Sequence, residues 1–332
     1  MFSWISKEPG KETDVNKTRK KKWSGDDLQL FLLSLPTVLW YVLFCYLPLF
    51  GLIIAFKRYQ VVPGKGFLYS LIHSEWSGLE NFRFLFANNR ETTVNMFVNT
   101  LGYNLVFIVL DIVLPVTLAI MISNLKSRKL AKTAQTAMFL PHFLSWVVVG
   151  YFVFAFLSTD HGLVNRMLTA MGAEPVKWYQ EEAAGYWPWI LVLLHLWKTM
   201  GYSMVIYLAA LNGIDTALYE AAMIDGAGKW KQACHVTLPM LRPVMVMMFI
   251  LAAGRIFNSD FGLFYRTTRN AGSLTKVYLT LDVYVYNSMF NNPRPVYGYI
   301  SAAGALQSVL GCLTMLCANG IVRRADRDNA LF

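Results

Sequence analysis

The segment 220–243 reads EAAMIDGAGKWKQACHVTLPMLRP and lies between two long apolar runs. It is rich in small residues, it contains two glycines, and two lysines lie near its middle. A polar, glycine-containing segment in such a position indicates a connection between two buried elements. The nature of those elements therefore decides the fold.

The composition of the chain is typical of a membrane protein. Of its 332 residues, 15% are charged and 55% are hydrophobic, whereas soluble domains usually carry about 25% charged residues. A hydrocarbon core about 30 Å thick requires roughly 20 mostly apolar residues per helix. The sequence therefore predicts an all-α, polytopic membrane protein with about six transmembrane helices. The predicted spans are 28–56, 94–122, 133–157, 186–211, 241–257 and 297–322.

Other architectures and sites fit the sequence less well. The apolar runs are too long and too uniform for the alternating strands of about ten residues that build a membrane barrel. Four prolines are expected to kink the helices, because neighbouring helices can satisfy the freed carbonyls. The cysteines and histidines lack metal-site spacing, and the polar, basic first 27 residues do not resemble a cleavable signal. The four prolines are Pro36, Pro48, Pro115 and Pro141.

The net charge of +10 indicates the orientation of the chain. Basic residues cluster at 7–22, 126–132 and 323–327, which lie on one side of the membrane if there are six spans. By the positive-inside rule that side is the cytoplasm, so both termini and the 212–240 connection are predicted to be cytoplasmic. Beside a first span, the KTRKKK run at 17–22 is interpreted as an orientation signal and not as a nucleic-acid site.

The segment 212–240 is predicted to form two short helices around a glycine turn. Asp215 is placed to cap the first helix, and Glu220 lies in the early turns, where negative charge complements the helix dipole. Ala221 and Ala222 leave one face shallow, so that another surface can approach the backbone.

The second half of this segment is predicted to begin at a turn formed by Asp225 and Gly226, because glycine adopts positive φ at no steric cost. Leu238 and Pro239 are expected to end the loop and begin the fifth span. On physical grounds alone, a simple interfacial connector explains these features as well as a docking element does.

The order Glu220-Ala221-Ala222, three residues, Gly226, nine residues, then Val236-x-Leu238-Pro239 resembles the EAA loop of ABC-importer permeases, with complete agreement in spacing. The sequence departs from sugar permeases at 233–234, where Ala-Cys replaces the usual bulky aromatic residues. The resemblance extends over nearly the whole chain, in particular to carbohydrate permeases for complex oligosaccharides such as alginate or pectin fragments. It is carried by YLPLFGLIIAFKRY, LPHFLSWVVVG, IYLAALNGID and the terminal Leu331-Phe332.

This resemblance implies a type I ABC permease fold in the inner membrane. It also implies a second homologous permease subunit, two ABC ATPase subunits, an extracytoplasmic solute-binding protein and a carbohydrate substrate. In that family the EAA loop docks into a groove on the ATPase subunit. The chain has no G-x-x-x-x-G-K-[ST] phosphate cradle, so we expect no cofactor on this chain, no catalysis by it, and ATP and Mg on the partner ATPases.

The resemblance and the charge pattern together predict four regions. A basic cytoplasmic tail covers 1–27, the first transmembrane helix and an external segment cover 28–93, and a cytoplasmic tail covers 323–332. The core permease domain covers 94–322 and contains the coupling loop 212–240. The segments 58–93, 158–185 and 259–296 are expected to be external and to receive the binding protein.

Ionisable groups inside the spans are candidates for a substrate pathway, because each is costly in lipid and usually marks a function or an ion pair. Asp111 and Lys198 lie near the middle of spans two and four, and we expect them to lie close together or to share a hydrated cavity. A structural ion pair inside the bundle is an equally simple explanation. The candidate lining residues are Tyr103, Asn104, Asp111, Trp197, Lys198, Tyr202 and Arg255.

Two other functions are weaker alternatives. A self-sufficient secondary transporter is expected to show two related halves and interrupted midplane helices, and the sequence shows no convincing internal repeat. A membrane-embedded enzyme requires convergent acid or metal-ligating groups at one depth, and the sequence supplies none.

Overall fold

The structure of the protein, a computed structural model, describes residues 25–87, 90–291, 296–327 and 330–331. The basic cluster at 7–22 and Phe332 lie outside these residues. The chain divides into two compact units, Met1–Gly51 and Leu52–Phe332.

Helices dominate the described residues, and five of them are long and apolar enough to cross a membrane: Asp26–Phe56, Glu91–Ser123, Glu181–Asn212, Lys229–Ala253 and Tyr297–Ala325. The prediction of an all-α membrane fold is confirmed. The numbered α-helices are α1 Gly25–Tyr41, α2 Phe67–His73, α3 Glu80–Ala87, α4 Arg90–Ser123, α5 Arg128–Phe139, α6 Trp146–Leu157, α7 Leu163–Ala170, α8 Trp187–Asn212, α9 Thr216–Ile224, α10 Lys229–Gln232, α11 Leu238–Ala253, α12 Thr275–Tyr278, α13 Leu281–Phe290 and α14 Tyr297–Ala325.

The first span is a helix of changing pitch. After α1 it passes through a π turn at Val42–Tyr46 and continues as a 3-10 helix at Leu47–Phe56. Pro48 explains the change, because proline removes one backbone donor and its ring clashes with the carbonyl four residues earlier.

The third predicted span, 133–157, is not one helix, which corrects the sequence prediction. Helix α5, the 3-10 turn Leu140–Phe143 and α6 form a pair bent by 98°. Pro141 cannot continue the α-helical hydrogen bonds. Ser145 then begins α6, and its Oγ accepts a hydrogen bond from the Val148 amide at 3.3 Å.

The fifth span begins earlier than the predicted 241–257. Helix α10, a π turn at Ala233–Thr237 and α11 form one continuous helical run, Lys229–Ala253. The Leu238 amide donates to the Ala233 carbonyl, five residues earlier. Leu238 and Pro239 therefore lie inside a helix instead of ending a loop, because proline is tolerated in the first turn after the π segment.

Three buried clusters lie in the second unit; the smallest packs Met96, Leu281 and Ala303 together, and the two larger ones join its long helices. One joins α4, α8 and α11 through side chains that include Val116, Met204, Tyr207 and Leu241. The other joins α4, α6 and α8 to the segment after α11, with Trp187, Leu191, Leu263 and Phe264 fully buried. Helix α14 approaches α11 closely at Gly311, where a side chain would collide with the Gly254 carbonyl.

A small antiparallel pair of strands, β1 Lys57–Arg58 and β2 Glu75–Trp76, follows the first span. Asn81 ties this region together, because its Nδ2 donates to the carbonyls of Ala55 at 2.8 Å and Lys57 at 2.9 Å. Arg58 of β1 and Glu80 of α3 form an exposed ion pair at 2.6 Å, and Glu80 raises the pKa of Arg58.

Candidate functional site

The connection between α8 and α11 begins with a capped helix. The Asp215 carboxylate accepts a hydrogen bond from the Ala217 amide at 2.9 Å, which satisfies one of the unpaired donors in the first turn of α9. The predicted cap is therefore confirmed. Glu220 and Ala221 are exposed on α9, and Ala222 is partly buried.

Helix α9 ends in a glycine turn. Gly226 has φ of +73°, and the Ala227 amide donates to the Ala222 carbonyl at 2.8 Å, as in helix ends that close on a left-handed residue. The Gln232 side chain closes the turn by donating to the Ala227 carbonyl, also at 2.8 Å. The predicted positive φ is confirmed, and the space around Gly226 is open.

This turn presents three large apolar side chains to the surroundings. Ile224 is 87% exposed, Trp230 81% and Met223 54%. Behind Trp230 lies a mainly apolar cavity of about 330 Å³. Exposed apolar patches of this kind mark interaction surfaces. We call residues 215–232 the coupling segment.

The intramembrane charges pair differently from the prediction. Asp111 on α4 accepts hydrogen bonds from His195 Nε2 at 2.9 Å and Thr199 Oγ1 at 3.3 Å, both on α8. His195 also stacks on Phe107, with ring centroids 3.7 Å apart. The expected partner of Asp111, Lys198, lies elsewhere.

Lys198 contacts the bend of the third span. Its Nζ donates to the His142 carbonyl at 2.9 Å and lies 5.3 Å from the Trp146 ring. The carbonyls near Pro141 lose their helical donors, so a lysine donor there replaces a missing bond. Tyr202, one turn further along α8, stacks on the His142 ring at 4.6 Å.

A cleft of about 540 Å³ lies between α4, α8 and the end of α11. Three of the predicted pathway residues line it: Asn104, Asp111 and Arg255. The Asn104 amide donates to the Ile256 and Asn258 carbonyls at 2.8 and 3.0 Å, which fixes the segment that follows α11.

The other predicted pathway residues are placed apart from this cleft. Tyr103 is buried, and its hydroxyl donates to the Val277 carbonyl at 3.1 Å. Trp197 is exposed on α8, while Lys198 and Tyr202 contact the bend. His195 lines the cleft and was missed by sequence reasoning. The available signal was its spacing of four residues from Thr199, which places both on one helical face.

Comparison with known proteins identifies the chain. Residues 112–326 match the family described as "Binding-protein-dependent transport system inner membrane component". The chain belongs to this family. It is therefore a membrane-spanning transport component, and the bundle and the coupling segment described above form most of the matched region.

Similar proteins from Bacillus subtilis (strain 168) cover between 78% and 93% of this permease. Protein LplB is 30% identical over 93% of this chain and 91% of its own. The polygalacturonan/rhamnogalacturonan transport system permease protein YteP is 31% identical over 90% and 89%. The arabinooligosaccharides transport system permease protein AraP is 32% identical over 78% and 80%.

Solved structures show the same fold. A chain of a bacterial ABC transporter involved in the import of the acidic polysaccharide alginate matches with a TM-score of 0.76 and 30% identity, covering 91% of this permease and 97% of that chain. The alginate ABC transporter in complex with an alginate pentasaccharide-bound periplasmic protein matches with a TM-score of 0.77 and 29% identity, over 90% and 96%. These matches confirm the ABC importer permease fold.

Proposed function

We propose that this protein is the permease subunit of an ATP-driven importer of oligosaccharides. It forms half of the translocation pathway beside a second homologous permease, receives sugar from an extracytoplasmic binding protein, and is driven by two ABC ATPase subunits. Similar permeases are named for alginate, polygalacturonan and arabinooligosaccharides, which supports an oligosaccharide substrate here.

The proposed division of labour places ATP and Mg on the partner ATPases and no catalysis on this chain. The sequence lacks a phosphate-binding cradle. Within the described ranges, no three His, Cys, Asp or Glu side chains are grouped to hold a metal ion. The proposed orientation places both termini and the coupling segment in the cytoplasm and the 158–185 and 259–296 segments outside.

The observation that carries the proposal is the exposed apolar end of the coupling segment. Ile224 and Trp230 lie on either side of the Gly226 turn and are almost fully uncovered. Tryptophan and large aliphatic side chains of this kind contribute most when buried in a partner's pocket. Since they lie in the loop that matches the EAA pattern, we infer that they insert into the ATPase groove.

Replacing these side chains tests the proposal. We expect Ile224→Ser and Trp230→Ala to lower the amount of ATPase that co-purifies with the permease and to reduce substrate-stimulated ATP hydrolysis. Loss of an anchor worth about 2 kcal/mol weakens binding roughly 30-fold. Met171→Ser is the matched control, because Met171 is 82% exposed on the proposed external side. The proposal would be contradicted if all three variants lowered ATPase co-purification equally, or if Ile224→Ser and Trp230→Ala had no effect on it.

A further inference from the structure

We propose that Arg266 and Arg269 form a binding site for the carboxylate groups of an acidic oligosaccharide at the outer mouth of the permease. The inference rests on the proposed function and narrows its substrate class to anionic sugars. The site is separate from the cleft that contains Asp111 and Arg255, and it lies on the segment that connects α11 to α13.

The two arginines line a pocket of about 260 Å³ without an acidic side chain. Its other lining residues are Val147, Gly150, Tyr151, Phe154 and Tyr265. Both arginines are exposed, and among the described residues neither guanidinium has a hydrogen-bonding or ion-pairing partner. The pocket therefore offers two positively charged guanidinium groups whose N–H donors are available to a ligand.

Both guanidinium groups are held against aromatic rings. Arg269 lies 3.9 Å from the centroid of Phe154, and Arg266 lies 5.3 Å from that of Tyr265. A guanidinium that contacts a ring in this way can leave its N–H edge free to bind a carboxylate with two parallel hydrogen bonds. Arg269 also acts on Tyr179. Burial raises the pKa of Tyr179 to about 12, and the positive charge of Arg269 opposes part of this rise.

The backbone under Arg269 is fixed in a costly conformation. Arg269 and Asn270 have φ of 57° and 52°, the two positive values found among non-glycine residues that the structure describes. Tyr278 and Asn287 each donate to Asn270 Oδ1 at 3.0 Å and hold this turn in place. Left-handed non-glycine residues are strained and concentrate at ligand sites, where the surrounding structure holds the backbone and so fixes the orientation of a side chain before the ligand binds.

The segment that carries Arg266 and Arg269 packs closely against α6. A side chain at Gly150 would lie 2.7 Å from the Arg266 carbonyl oxygen, so glycine permits this approach. The result combines two arginines with the exposed ring of Tyr151, while the Phe154 ring supports Arg269. The Tyr151 ring can cover an apolar C–H patch of a sugar ring while the arginines bind its carboxylate. A pocket of this size, close to the lower end of ligand sites, suits a single uronate unit of a longer chain.

Direct binding tests the site without requiring transport. The permease complex is placed in phosphatidylcholine nanodiscs, and binding of D-galacturonate and D-glucuronate is compared with that of D-galactose and D-glucose, which lack the carboxylate. We expect uronate binding to exceed that of the neutral sugars. The double variant Arg266→Gln/Arg269→Gln should weaken uronate binding at least tenfold, since a charged hydrogen bond contributes about 1.5–3 kcal/mol. Arg166→Gln, an exposed arginine on α7, should leave it unchanged.

Three outcomes would overturn the inference. They are equal binding of charged and neutral sugars, uronate binding that survives the double variant, and loss of uronate binding when phosphatidylglycerol is added, which would assign the arginines to a lipid headgroup. Size-exclusion profiles and thermal stability of the variants show whether each is folded. Uptake by the complete importer is measured separately with neutral and acidic oligosaccharides. Uptake of neither would contradict the proposed function, whereas uptake of neutral oligosaccharides alone would contradict only this inference.

Discussion

Gly226 shows how one residue shapes the coupling segment. Its φ of +73° ends α9 and turns the chain toward α10, and the exposed side chains of Ile224 and Trp230 lie on either side of this turn. Nothing within 4 Å would obstruct a side chain there. The requirement for glycine is therefore conformational and not steric.

A paired substitution separates these two effects. Gly226→Val should distort the turn at a cost of about 1–2 kcal/mol, because an L-residue resists the left-handed conformation. Gly228→Val is the control, since Gly228 has an extended backbone with φ of −68° and also has open surroundings. We expect Gly226→Val to reduce ATPase co-purification and stimulated hydrolysis while the protein remains in the membrane. Equal behaviour of the two variants would show that the turn conformation is dispensable.

At the scale of elements, apolar run length predicted the spans and local chemistry predicted the Asp215 cap, because both depend on neighbouring residues. The break in the third span was not predicted. The run 133–157 contains no charged residue, and a proline in a membrane helix produces either a kink or a complete break, depending on which groups donate to the carbonyls left without helical partners. Here Lys198 of α8 donates to the His142 carbonyl in the turn where the helix stops, a contact that spans 56 residues of sequence.

The Asp111–His195 pair could not be predicted for the same reason. Its two residues are 84 positions apart, and only the packing of α4 on α8 shows that the carboxylate faces a histidine and not Lys198. Thr199, one turn from His195, adds a second donor to the same carboxylate. The pair joins these two long helices beside the cleft.

A double-mutant cycle tests whether this pair stabilises the α4–α8 contact. We expect Asp111→Leu to lower thermal stability more than Asp111→Asn, because the amide retains an acceptor for His195 and Thr199. Coupling between Asp111→Leu and His195→Phe should amount to about 0.5–3 kcal/mol, with phenylalanine keeping the stack on Phe107. Additive effects in thermal unfolding of the detergent-solubilised protein would mean that the two side chains act independently.

At the scale of the whole molecule, the proposed function requires the ATPase and the binding protein to contact opposite ends of the membrane-spanning helices. The coupling segment lies between α8 and α11, whereas α7 and the arginine pocket belong to connections at the other ends of α8 and α11. The two ends of a helix that crosses the membrane lie on opposite sides of the bilayer, separated by the full thickness of the membrane. The ATPase and the binding protein can therefore engage the chain simultaneously only if these two sets of connections face opposite compartments.

Thiol labelling tests this orientation at two sites of similar accessibility. Met171 is 82% exposed at the end of α7, and Ile224 is 87% exposed at the end of α9. In a background with Cys45, Cys234, Cys312 and Cys317 replaced, we expect Met171→Cys to react with an impermeant maleimide in intact spheroplasts. Ile224→Cys should react only after the membrane is opened. Expression without the ATPase and the binding protein prevents either partner from shielding its site. The reverse pattern would place the coupling segment outside, where no ATPase could reach it, and would refute the proposed orientation together with the positive-inside argument from which it came.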